Sequence, residues 1–364
     1  MTGVVVRVDG GLGRITLNRP EAINALTASM LDVIADTMRE WEHAPDVRAV
    51  LLSGAGDRGF CAGGDIVMLW SSALRGDDAA ERFWRAEYRL NAQIAEYPKP
   101  VVAWMDGIVM GGGVGLSGHA SHRLATERLA WAMPEPAIGF APDVGGTYLL
   151  SRTPGELGTH IAMTATRVGP GDALACGLAD AFVASAEFGP LIADLRRGYD
   201  VDRAIRAASA RSGPAPSAPL VADRARIEAC YASDSAEDIA ERIAAAGWET
   251  AREALATASP TAIKVTLAAL RRARELPSLR ACLAAELRTS CAMLRIPDFA
   301  EGIRAMVVDK DRRPAWRPPA IADVHEDEIA AVLAGPDGLR DLWEPQREVP
   351  GATTAADTIY RVSP

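Results

Sequence analysis

Twice in this chain glycines cluster just after an apolar run, and that pairing limits the possible folds more than any other feature. The first cluster, Arg58-Gly-Phe-Cys-Ala-Gly-Gly-Asp65-Ile66, comes after the strand-like run Val47 to Ser53. The second, Met110-Gly111-Gly112-Gly113-Val114-Gly115, comes after Val101 to Met105. Without side chains, Gly63 and Gly64 let the backbone bend sharply and approach a ligand closely, and Asp65 can cap the segment beyond them. Glycines that open a helix expose unpaired N–H donors with the positive dipole end behind them. Two such turns can converge on one oxygen, and acyl-transfer chemistry needs two donors about 3 Å from one oxyanion. Taken alone, the first cluster reads equally well as a plain strand-to-helix turn.

The rest of the N-terminal half alternates strands with helices, which implies an α/β core with helical crossovers. Val4, Val6 and Val8, the turn Gly10-Gly11, and Ile15 and Leu17 predict a hairpin over 4–18. Met30, Leu31, Ile34, Met38 and Trp41 form one stripe of a helix from Thr27 to Trp41, and His122 to Thr126 reads as a third buried strand. The pattern changes after about residue 185. A Pro/Ala/Ser-rich stretch, Ser212 to Pro219, reads as a loop, and helices come after it. Ser235 to Asp238 resembles a capping box ahead of Ile239, Ile243, Ala251 and Leu255. Ile263, Leu267 and Leu270 mark a second helix; Leu279, Leu283, Leu287 and Leu294 mark a third, stopped by Pro297. The expected division is a core over 1–200, a helical region over 201–345 and a weakly anchored tail over 346–364.

A third segment adds acid. Met133-Pro134-Glu135-Pro136 and Pro142-Asp143-Val144-Gly145-Gly146-Thr147 place two carboxylates eight residues apart in an irregular apolar loop. Asp143 is well placed to cap a helix starting at Val144. Glu135, between two prolines, makes no helix pair; in an apolar pocket its pKa would rise and it could serve as base, acid or nucleophile. Rival motifs fit worse. Gly113-Val-Gly115-Leu-Ser-Gly118 satisfies GxGxxG, but barely ten residues separate it from the next strand, too few for a dinucleotide-binding crossover. Gly115-Leu116-Ser117-Gly118 has the wrong spacing for a nucleophile elbow. The five histidines lie outside these segments, and the close pair His119 and His122 reads as packing or surface residues, so Ser-His-Asp and zinc hydrolases are disfavoured.

Composition narrows the classes further. A net charge of −9 argues against a general nucleic-acid surface. The most apolar later stretch, Ile108 to Leu116, is too short to span a bilayer, and Arg7 and Asp9 break any signal-like core at the N-terminus. Five scattered cysteines without CxxC or zinc spacing fit a reducing cytoplasm. With 364 residues the chain can bury a full core without staples.

In order along the chain, these segments resemble the crotonase (enoyl-CoA hydratase/isomerase) superfamily. The first cluster looks like its signature, preceded by Leu17-Asn18-Arg19-Pro20-Glu21-Ala22-Ile23-Asn24-Ala25-Leu26. The resemblance implies a spiral of ββα units with a C-terminal helical region. It also implies that Gly64 and Gly112 supply an oxyanion hole. Coenzyme A would run past Glu21 to Leu26 and Ala62 to Ile66, so Ala22, Ala62, Asp65, Ile66 and Gly111 become candidate binding residues. Hydratases of the superfamily usually carry a glutamate where this chain has Gly115, whereas Glu135 is kept and Asp143 is gained. That combination resembles the 3-hydroxyisobutyryl-CoA hydrolase branch of valine catabolism. Glu87-Tyr88-Arg89-Leu90-Asn91, Ser259-Pro260-Thr261, Asp298 to Ala305 and Asp309-Lys310-Asp311 agree with it. Phe140-Ala141 stands where the branch usually has two bulkier residues, a change expected to reshape the acyl pocket.

The resemblance therefore implies hydrolysis of a short branched 3-hydroxyacyl-CoA thioester. Glu135 would activate water or attack directly, Asp143 would orient the substrate hydroxyl or share a proton with Glu135, and Glu87 would bind the 3-hydroxyacyl group. No metal or redox cofactor is implied, since CoA belongs to the substrate. Two readings stand beside it: an enoyl-CoA hydratase/isomerase and a non-catalytic acyl-CoA-binding protein. No nucleic-acid or membrane partner is expected. Superfamily members often form trimers, so a homo-oligomer is one expectation; a helical region folded over its own core is the other.

Overall fold

The computed structural model describes residues 3–344. The expected tail over 346–364 lies outside the described residues, as does residue 345. Strands β1 (Val4–Asp9) and β2 (Leu12–Leu17) form the predicted antiparallel hairpin, with Gly10 and Gly11 at φ 58° and 83° in its turn. Helix α1 (Ala28–His43) starts where Thr27 accepts a hydrogen bond from the Met30 amide at 3.3 Å. The chain then repeats one unit. Strands β3 (Ala49–Gly54) and β4 (Gly59–Cys61) lead to helices α2 (Ile66–Arg75) and α3 (Ala79–Ala95). Strands β5 (Val101–Met105) and β6 (Ile108–Met110) lead to helix α4 (Gly112–Gly118). Strands β7 (His122–Ala125) and β8 (Ala130–Ala132) lead to the 3-10 turn Glu135–Ile138 and helix α5 (Gly146–Leu150).

In each unit the first strand enters a large sheet, ordered β1-β2-β3-β5-β7-β9 with β9 at Ala181–Phe182, and the second enters a small sheet, β4-β6-β8. Apart from the β1–β2 hairpin, the pairings are parallel. This is the expected ββα spiral. Strand alternation divides the core. Val50 and Leu52 face the main interior, while Leu51 faces a second cluster with Leu191, Ala204 and Ile205. The Val201–Ser212 helix thus packs with the sheet.

The C-terminal helices fold back onto the spiral and share its main core. Pro260–Glu275 packs on α5, Leu279–Met293 on α3 and α5, and Pro297–Ile303 on α2 and the Glu135–Ile138 turn. Two expectations need correction. The helix expected from Ser235 through Leu255 is two, Ala236–Ala245 and Glu249–Thr257, because Gly247 adopts φ 58° between them. Pro297 stops one helix but also opens the next, at a position where its missing N–H is not needed.

Candidate active site

Strands β4, β6 and β8 lie side by side and parallel, with Cys61 beside Val109 and Met110 beside Ala132. Their carboxyl ends share one edge, the position where open α/β sheets bind ligands. The chain leaves β4 into Gly63-Gly64, β6 into Gly111-Gly112, and β8 into Pro134-Glu135. Gly63 and Gly111 adopt φ 116° and 48°, which β-carbon-bearing residues resist. A β-carbon on Gly112 would collide with Glu87 Oε1 and lie 3.3 Å from the Gly64 nitrogen; one on Gly63 would lie 3.6 Å from the Gly112 nitrogen. The two amides are therefore near neighbours. Neither N–H has an acceptor among the described residues, Gly112 because it opens α4 ahead of the helical ladder.

Both amides line a cavity of about 700 Å³, within the usual range for small-molecule sites. The same cavity is lined by Ala22, Ala62, Asp65, Ile66, Gly111, Glu87, Glu135 and Asp143, so all ten candidate site residues reach one place. Asp65 sits at its edge, capping α2 through the Met68 amide at 3.4 Å and pairing with Arg19 at 3.5 Å. Trp84, Phe140 and Phe299 form an aromatic wall. Phe140 stacks on Trp84 with centroids 5.4 Å apart, and Phe299 tilts against Phe140 at 5.2 Å. A second hollow of about 510 Å³, beside Arg89, Glu96, Arg280 and Trp343, is lined by neither these glycines nor these carboxyls.

The three carboxyls are 2%, 6% and 6% exposed at Glu87, Glu135 and Asp143. Glu87 Oε1 and Glu135 Oε2 have no hydrogen-bond partner. Burial, reinforced by the neighbouring acids, pushes both glutamates well above the ordinary carboxylate range. Asp143 is pushed up to about 7 by burial, and held from rising further by the Tyr88 hydroxyl, which donates to its Oδ2 at 2.7 Å. Three acids buried this close together take up and release protons as a set. Asp143 is not the helix cap expected of it. Helix α5 begins at Gly146 after Val144 and Gly145 turn left-handed at φ 54° and 78°, and the buried Gly145 and Thr147 amides bond to Glu286 instead.

Sequence reading missed Tyr88, Trp84, Phe299, Glu286 and Ser290. Tyr88 sat inside a segment already singled out. Glu286 and Ser290 had a fainter mark: polar residues on the buried stripe of Leu283 and Leu287. His119 is buried and its Nε2–H donates to the Val144 carbonyl at 2.8 Å, while His122 pairs with Asp202; the two do not share a site.

The enoyl-CoA hydratase/isomerase family profile matches residues 12–333. The chain is 37% identical to the mitochondrial 3-hydroxyisobutyryl-CoA hydrolase of Gallus gallus, over 93% of this chain and 90% of that protein. It is 36% identical to 3-hydroxyisobutyryl-CoA hydrolase 1 of Arabidopsis thaliana, over 94% of each. Among solved structures it is similar to a carnitinyl-CoA dehydratase from Mycobacterium thermoresistibile, with TM-score 0.88 and 45% identity over 94% of this chain and 98% of that one. An enoyl-CoA hydratase from Rhodobacter sphaeroides 2.4.1 gives TM-score 0.85 and 41% identity, over 92% and 97%.

Proposed function

The chain belongs to the enoyl-CoA hydratase/isomerase family, and from that premise we propose that it hydrolyses a short branched 3-hydroxyacyl-CoA, of the 3-hydroxyisobutyryl-CoA kind, to free acid and CoA. The observation that carries this reading is the pair of unpaired amides at Gly64 and Gly112 in one buried cavity with Glu135 and Asp143. The thioester oxygen accepts from both amides, which stabilise the charge that builds on it as the carbonyl carbon is attacked. Loss of one such donor typically lowers a rate by ~10²–10³. Glu135 delivers the oxygen nucleophile, either by taking a proton from water or by bonding to the carbonyl carbon itself. The carbon–sulfur bond then breaks and CoA leaves as the thiolate. Along the second route, water opens the resulting anhydride.

Asp143 and the unpartnered Glu87 receive the substrate hydroxyl, and the aromatic wall holds the branched carbons. The CoA arm runs past Ala22, Ala62, Asp65, Ile66 and Gly111. These groups and water suffice for the chemistry, so no metal or redox cofactor is proposed. All ten residues line the one cavity. No helix among the described residues is long and apolar enough to cross a membrane. Five free, buried cysteines support a reducing compartment such as the cytoplasm; the vertebrate relatives carry mitochondrial names.

A second reading, hydration or dehydration of an acyl-CoA, is favoured by the two solved neighbours, a carnitinyl-CoA dehydratase and an enoyl-CoA hydratase. Position 115 speaks against it. A β-carbon there would lie 2.7 Å from Asn91 Nδ2 and 2.8 Å from the Val144 Cβ, so the site has no room for the glutamate that hydratases carry at that point. Thiol release from a small acyl-CoA panel, followed with a thiol dye, tests the proposal. Release from 3-hydroxyisobutyryl-CoA that collapses in Glu135→Gln and Asp143→Asn is expected. Loss of enoyl-thioester ultraviolet absorbance without thiol release would replace the hydrolase reading with the second one, and tight binding with neither signal would leave a non-catalytic acyl-CoA carrier.

A further inference from the structure

The Leu279–Met293 helix touches the reacting site without lining its cavity. Glu286 and Ser290 stand one turn apart on its buried face and reach Asp143 by two routes. Along the first, the Ser290 and Tyr88 hydroxyl oxygens lie 2.8 Å apart and Tyr88 donates to Asp143 Oδ2 at 2.7 Å. A phenol has one proton, and it is given to Asp143. Ser290 is therefore the donor to Tyr88, which makes a one-way chain from Ser290 to Tyr88 to Asp143. Each donation polarises the next and strengthens the last bond.

Along the second route, Glu286 Oε2 accepts from the Gly145 amide at 2.7 Å, and Oε1 accepts from the Thr147 amide at 3.0 Å and the Thr147 hydroxyl at 2.5 Å. These amides belong to the turn directly after Asp143. Val144, a β-branched residue, is held left-handed at φ 54° in that turn. Its carbonyl is bonded to His119 on one side, and its successors are held by Glu286 on the other. A strained residue persists where its surroundings over-determine it, and such residues gather at functional sites.

We propose that Ser290 and Glu286 are positioning residues for Asp143, Ser290 acting through the Tyr88 hydroxyl and Glu286 through the Gly145 and Thr147 amides. The helical region thereby fixes the charge and aim of an acid that lies some 140 residues earlier in the chain. This rests on the reading that Asp143 takes part in the reaction. The ionisable groups around Asp143 are Glu87 and Tyr88 from α3, Glu135 from the 3-10 turn, Glu286 from the Leu279–Met293 helix and His119 from the end of α4. Around Glu286 they are Asp143, Glu135, Tyr88 and Cys282.

The test is the pH profile of kcat/KM for thiol release by the full chain, using the best substrate of the acyl-CoA panel. Ser290→Ala should lower the rate about five- to tenfold, as the loss of one hydrogen bond does, and move the rise in activity to higher pH. Tyr88→Phe should move it further, because Asp143 loses the donor that favours its charged form. Ser290→Thr should restore both. Glu286→Gln should lower kcat more than it changes KM. On the residual rate of Asp143→Asn, adding Ser290→Ala should cost nothing further. A full loss in Asp143→Asn beside an unchanged rate and profile in Ser290→Ala would overturn the positioning role alone, as would equal losses from Ser290→Ala in both backgrounds. An unchanged rate in Asp143→Asn would instead remove the role assigned to Asp143, and the positioning role with it.

Discussion

Asp143→Asn should make the protein more stable, and increasingly so as pH rises. The Asp143 carboxyl has an ordinary value of 3.8 and is pushed up to about 7, chiefly by burial. A group whose value is raised on folding favours the native state fully only below its unfolded pKa, and that contribution is lost as pH climbs through the folded value. The unfolded chain ionises first, near pH 4, so stability falls from there until the folded site ionises near 7. At about 1.36 kcal/mol per pH unit the whole loss is on the order of 4 kcal/mol, of which roughly 3 kcal/mol accrues between pH 5 and pH 8. Asparagine is nearly the same size, accepts the Tyr88 hydroxyl as before and does not titrate. Urea unfolding of both proteins at pH 5 and pH 8 reads the effect directly. The stability gap should widen by about 3 kcal/mol in favour of the variant at the higher pH. A gap independent of pH would mean that Asp143 is solvated like a surface acid, and the coupled carboxyl cluster on which the mechanism relies would not exist.

Other perturbations separate the parts of the site. Gly112→Ala keeps its amide but places a β-carbon against Glu87 Oε1 and 3.3 Å from the Gly64 nitrogen, so the two donors should shift out of line and kcat/KM for thiol release should fall by about 10². Glu135→Gln should reduce kcat for thiol release by about 10²–10⁴ while acyl-CoA affinity, measured by calorimetry, stays within a few-fold. Trp84→Ala removes the ring stacked on Phe140 and should destabilise the fold by about 3–5 kcal/mol in urea titrations. It should also shift the acyl panel toward bulkier groups. Val144→Gly relieves a left-handed β-branched residue but loses a buried side chain, two effects of about 1–3 kcal/mol each that nearly cancel; its melting temperature should barely move while kcat falls.

How much could be seen in the sequence depends on how local each feature is. The two donor turns were legible because the Gly63-Gly64 and Gly111-Gly112 backbones need glycine, a requirement written at the positions themselves. The hairpin and the strands were legible through their period of two, as Val50 and Leu52 against Leu51 illustrate. The role proposed for Asp143 was legible only through the family resemblance, not in its local sequence. Its neighbours in the chain describe a helix start, and Asp at such a start is the ordinary cap. The actual cap is Glu286, which the helical fold-back delivers, and no local pattern records a partner 141 residues away. Ser290 was hidden likewise, 202 residues from Tyr88. Gly247 was overlooked because Ile239, Ile243, Ala251 and Leu255 keep nearly one stripe across it, and a single left-handed residue turns the chain without disturbing that pattern.

The arrangement explains why the helical region is more than a cover. Folding opposes a cavity with three buried carboxyls and two amides lacking acceptors, because each group has surrendered its hydration. The spiral sets where the glycine turns and Glu135 emerge, since β4, β6 and β8 are parallel neighbours, and the helical region packs on the Glu135–Ile138 turn, where the Ser259 amide donates to the Pro136 carbonyl at 3.0 Å. It holds Asp143 only in part, through Tyr88 from α3 and His119 beyond α4, because the loop passes through a strained turn before α5. That turn is secured from the Leu279–Met293 helix, and the cavity's aromatic wall is completed by Phe299 from Pro297–Ile303. The helical region can do this because its own burial is large: Leu267, Leu270, Leu283, Leu287, Phe299 and Ile303 join the main core, each worth about 1.5–3 kcal/mol. Stability gained at those residues offsets what the reacting groups lose, and the same helices supply the residues that aim Asp143.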